Sequence, residues 1–69
     1  MTKNDAEALF KLAKSVFAFY PEYVITRDSY HCEIKTNSQE VINWFQSKGM
    51  QGKIWHRGNY IVLTYTTTD

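Results

Sequence analysis

The 69-residue chain has one cysteine, one proline and three glycines, and after Glu40 its only acidic residue is Asp69. Each scarcity excludes something. A lone Cys32 rules out an intramolecular disulfide framework and a cysteine-paired zinc ribbon, and it fits a reducing compartment, so the expected location is cytoplasmic. The glycines at Gly49-Met50-Gln51-Gly52 are too sparse for a phosphate loop and lack the Gly-Lys-Ser/Thr that grips nucleotide phosphates. The longest unbroken apolar run, Val16-Phe17-Ala18-Phe19-Tyr20, is far short of the roughly 20 residues a membrane span needs. Met1-Thr2-Lys3-Asn4-Asp5 leads into an amphipathic stretch and does not read as a signal peptide. No membrane partner is expected.

What remains is the composition of a folded globule: 43% hydrophobic, 16% aromatic and a net charge of +1. A chain this short hides only about 60% of the surface its unfolded form exposes. Residues 1–69 are therefore expected to form a single small domain, with its function on its outer surface rather than in a deep cleft.

Hydrophobic periodicity supplies the elements. Ala6, Leu9, Phe10, Ala13, Val16, Phe17 and Tyr20 recur at helical spacing. The helix is expected to start at Asn4, capped by a box between Asn4 and Glu7, and to stop before Pro21. Residues 22–27 and 30–36, rich in Tyr, Val, Ile and Thr, flank Asp28-Ser29 and read as a hairpin. Asn37-Ser38-Gln39-Glu40 opens a second helix carrying Val41, Ile42, Trp44 and Phe45, closed by Lys48 and Gly49. Residues 51–57 and 60–66 flank Gly58-Asn59, a strong two-residue hairpin signal. The expected fold class is α+β: a two-layer sandwich in α-β-β-α-β-β order, with both helices on one face of a four-stranded antiparallel sheet. In element order alone the chain resembles the αββαββ half of LAGLIDADG homing endonucleases. The acidic helix motif of that family is absent, so the resemblance implies no activity.

Pleating sorts the strand residues. A two-residue turn at Gly58-Asn59 pairs Arg57 with Tyr60, Trp55 with Val62 and Lys53 with Thr64. Ile54, Ile61, Leu63 and Tyr65 then share an inner face with His56 at its rim, and the same rule places Tyr23, Ile25, Cys32 and Ile34 inside. Leu9, Leu12, Val16, Phe17, Val41, Ile42 and Phe45 are expected to pack on this face. The outer face collects Trp55, Tyr60, Arg57, Lys53, Val62, Lys35 and His31. These form the candidate binding residues, since clustered surface aromatics beside cations are what interfaces use.

Catalytic chemistry finds no footing. His31 and Cys32 are adjacent but point to opposite faces of a strand. Glu22, Asp28, Glu33 and Glu40 are scattered over different elements, so no pair is placed for acid–base work. No catalytic residue, metal ligand or cofactor is expected. The expected function is a non-enzymatic protein-binding module, a small regulator or inhibitor that docks its aromatic and basic sheet face on a larger protein partner. Homodimerisation through that face is a variant. The alternative is a sheet module for single-stranded nucleic acid, favoured by Lys48, Lys53 and Arg57 in an acid-free stretch and opposed by the nearly balanced charge. Size alone suggests a phage or mobile-element origin.

Overall fold

A computed structural model describes residues 1–18, 23–27 and 31–68, with 23–27 described by backbone alone. The elements run α1 (Lys3–Val16), β1 (Tyr23–Arg27), β2 (His31–Thr36), α2 (Gln39–Ser47), β3 (Lys53–Arg57) and β4 (Tyr60–Thr66).

The first helix starts earlier than Asn4. Its cap is Thr2, whose Oγ1 accepts from the Asp5 backbone amide at 3.2 Å, while the Thr2 amide donates to Asp5 Oδ2 at 3.5 Å. Thr2 and Asp5 have the same box spacing as Asn4 and Glu7. The earlier start lengthens the helix, and Met1 packs against the core. α1 ends at Val16, with the Phe17 amide donating to the Ala13 carbonyl at 2.8 Å. The helix therefore ends short of the expected stop before Pro21; Pro21 itself and the Asp28-Ser29 turn lie outside the described residues.

Ala6, Leu9, Phe10, Ala13 and Phe17 form the buried stripe, whereas Leu12 and Val16 are exposed at 48% and 45%. This corrects the expectation that both pack on the sheet. At 100° per residue they sit about 80–120° round from Ala6, beyond the narrow arc one small core can cover.

The second helix is capped at Ser38, but not by the Ser38 side chain. Thr36 Oγ1 instead accepts the Ser38 amide at 3.0 Å, from a side chain with no solvent exposure. Thr36→Val keeps the shape and removes that acceptor. Leaving a part-buried amide without its partner is expected to cost about 1–2 kcal/mol, read as a lower urea midpoint. An unchanged midpoint would show that the bond contributes nothing.

The expectation of a four-stranded antiparallel sheet needs correction. The sheet described with its side chains is three-stranded and antiparallel, β2-β4-β3, with β4 in the middle. β1 adds a backbone ladder on the outer side of β2, giving the strand order β1-β2-β4-β3. That ladder is also not in the register a two-residue turn dictates. Arg27 faces Cys32 and Tyr23 faces Thr36, two positions further along β2 than expected. Asp28-Ser29 lacks the glycine that makes a two-residue turn signal strong, and with Arg27 opposite Cys32 four residues separate the paired ends. An even shift preserves the pleat: Cys32, Ile34 and Thr36 are all buried.

The helices cover β2 and β4. Phe10, Phe45, Val41, Ile42, Ile34, Ile61 and Leu63 belong to one core cluster, which Trp44 and Tyr65 flank. Trp44 meets Phe17 edge-on at 5.4 Å and Phe45 at 5.0 Å, and Phe10 tilts on Phe45 at 6.2 Å, geometries that favour aromatic pairs. The Thr68 amide and hydroxyl both donate to the Met1 carbonyl, at 3.1 and 3.2 Å, tying the strand exit to the helix start.

Candidate functional site

The last hairpin has the register read from its turn: Lys53↔Thr64, Ile54↔Leu63, Trp55↔Val62, His56↔Ile61 and Arg57↔Tyr60. Gly58 has φ 61°, while Asn59 stays at negative φ. That combination is the signature of a type II′ turn, whose twist matches the flanking strands. This turn fixes which side chains of β3 face away from the helices.

Pairing of β2 with β4 extends the rows across the sheet. Lys35 faces Val62, which faces Trp55, and Glu33 faces Thr64, which faces Lys53. Arg57 and Tyr60 close one end of the outer face, and His31 beside Thr66 closes the other. The two ends lie about 20 Å apart at 3.4 Å per residue, so His31 is remote from Arg57 and Tyr60. Trp55 is 51% exposed, Lys53, Arg57 and His31 are exposed, and Tyr60 and Lys35 are half-buried. Lys35 Nζ lies 4.6 Å from the centre of the Tyr60 ring, a diagonal cation–π contact that holds both side chains across the face.

Val62 was expected on the accessible face and is in fact only 3% exposed. Its row explains this: Trp55 stands on one side and Lys35, drawn over Tyr60, on the other. Val62 is the floor beneath the exposed residues. His56 and Ile54 depart from expectation in the opposite direction. Both have inner-face parity, yet all of β3 is exposed, Ile54 at 40%. β3 ends the sheet, beyond the cover of α2, which packs over β2 and β4.

Beside Trp55 the outer face dips into an open groove of about 610 Å³, walled by His31, Glu33, Lys53 and Trp55 and floored by Thr64 and Thr66. Sequence reading did not include Glu33 in the site. Its parity placed it on this face, but only the β2–β4 pairing brings it level with Lys53. A second groove of about 530 Å³, between α1 and the end of α2, is lined by Met1, Leu9, Leu12 and Lys48.

Cys32 is buried and His31 exposed, so the two are turned apart. Glu22 and Asp28 lie outside the described residues. Among the described residues no three His, Cys, Asp or Glu side chains gather to hold a metal ion, and no helix is long and apolar enough to cross a membrane. Compared with known proteins, the chain matches no family model, no curated protein and no solved structure.

Proposed function

We propose that the chain is a non-enzymatic protein-binding module, a small regulator or inhibitor whose outer sheet face docks on a larger protein. The observation that carries this reading is Trp55, held half in solvent by a complete ladder, with Lys53 and Arg57 two positions to either side. Trp and Arg dominate the energy of protein interfaces, and a face of this size covers about 600–800 Å² per partner, near the standard for a specific complex. Glu33 in the adjoining groove disfavours a nucleic-acid strand there, because a carboxylate among the cations repels phosphate.

The test is capture from nuclease-treated native lysate with the wild-type chain and with Trp55→Ala. The wild type is expected to retain one protein partner. Trp55→Ala is expected to weaken that complex by about 2 kcal/mol, roughly thirtyfold. Equal retention by both chains, or loss of all partners on nuclease treatment, would contradict the proposal.

A further inference from the structure

We propose that the open edge of β3 takes an extended acidic segment of the protein partner as an added antiparallel strand. This rests on the outer-face reading above and names the chemistry of the partner. Among the described residues β3 ends the sheet, and all five of its own residues are exposed. The two-residue turn makes Arg57 and Tyr60 a hydrogen-bonded pair, and the antiparallel alternation then does the same for Trp55 with Val62 and Lys53 with Thr64. The main-chain groups of Ile54 and His56 are left pointing outward from the edge. Nothing in the strand hinders pairing there, since it holds no proline.

Charge selects the occupant. Lys53, Trp55 and Arg57 project from the outer face at alternate positions; residues 41–68 contain no carboxylate, and Glu33, level with Lys53, stands on β2 with β4 between them, on the side away from the edge. Edge cations of this kind discourage self-pairing. Antiparallel pairing of two copies over the whole of β3 sets Lys53 of each opposite Arg57 of the other, a like-charge contact at both ends. An acidic strand turns the same two positions into attractions. Its carboxylates must be four residues apart to meet both cations, with an apolar residue midway against Trp55. A β-branched residue opposite Ile54 covers that 40% exposed side chain on the inner face. The pattern is acid-x-aromatic-Val-acid.

The probe is a capped nonapeptide with Glu-Thr-Phe-Val-Glu at its centre, titrated calorimetrically into the intact chain. Saturable binding is expected, at least tenfold weaker when lysines replace both glutamates. Only the Thr and Val amides of such a strand point at β3, so N-methylating them is expected to weaken binding at least tenfold, while N-methylating the Phe amide changes it less than threefold. The amide exchange of Ile54 and His56 is expected to slow at least tenfold in the complex. The doubly reversed variant K53E/R57E, changed only at exposed positions, is expected to prefer the lysine peptide. No saturable binding at millimolar peptide, or equal binding after Thr and Val methylation, would overturn the added strand. In that event a partner complex still weakened by Trp55→Ala would leave face docking in place, whereas one untouched by it would remove both.

Discussion

Gly52→Ala is expected to lower the stability of the chain by about 3 kcal/mol or more, enough to leave much of so small a domain unfolded at physiological temperature. A Cβ built on Gly52 overlaps the Thr64 carbonyl oxygen, and it falls 2.8 Å from the Thr64 carbonyl carbon and 3.3 Å from Tyr65 Cα. All three are main-chain atoms of the middle strand, so no side-chain rotation relieves the overlap. β3 must swing away from β4 at the point where their ladder begins, at Lys53↔Thr64. Equilibrium urea unfolding measures the loss. A midpoint close to wild type would mean that the entry to β3 lies further from β4 than the structure shows.

Phe45→Ala is expected to cost about 3–5 kcal/mol, the range for deleting a large buried ring when the cavity cannot collapse. Phe45 has no solvent exposure and joins the layers: its ring touches Phe10 of α1 and Trp44 of α2, within the cluster that includes Ile34 and Leu63. Its neighbours are anchored on four different elements, so they cannot close in together. For a domain of this length the loss corresponds to a melting temperature lower by about 12 °C or more, or to no cooperative transition at all. Thermal unfolding followed by circular dichroism reads it directly. A drop of only a few degrees would place the core elsewhere.

Much of this arrangement is legible in the sequence because it is encoded locally. Gly58-Asn59 fixes a turn, the turn fixes a register, and the register turns Trp55, Lys53 and Arg57 outward. Each step involves neighbours along the chain, and period-2 sorting needs no knowledge of the rest of the fold. The helix starts are less legible because two cap boxes compete within the first residues and differ only in helix length. Asp28-Ser29 is a weak turn signal, so it does not fix the register of β1 on β2, which lies two positions from the one it suggests, and the expected four-stranded sheet is a three-stranded sheet with a backbone ladder at one side.

Strand order is the deeper gap. Nothing local tells β3 that it ends the sheet while β4 pairs with β2, yet this long-range choice decides three features of the site. It leaves Ile54 and His56 uncovered despite their inward parity. It buries Val62 between Trp55 and Lys35. It also brings Glu33 level with Lys53 across the groove. A pattern of apolar residues says which face looks toward the helices, but not how far the helices reach.

The thermal stability of Trp55→Ala, set beside that of Phe45→Ala, tests most directly whether the indole serves recognition rather than folding. Half-exposed on an edge strand, Trp55 contributes only a cross-strand contact with Val62, worth about 1 kcal/mol at most. The melting temperature is therefore expected to fall by no more than about 4–8 °C, with a cooperative transition retained. A fall as large as that of Phe45→Ala would show that Trp55 belongs to the core and that the outer sheet face is not a docking surface.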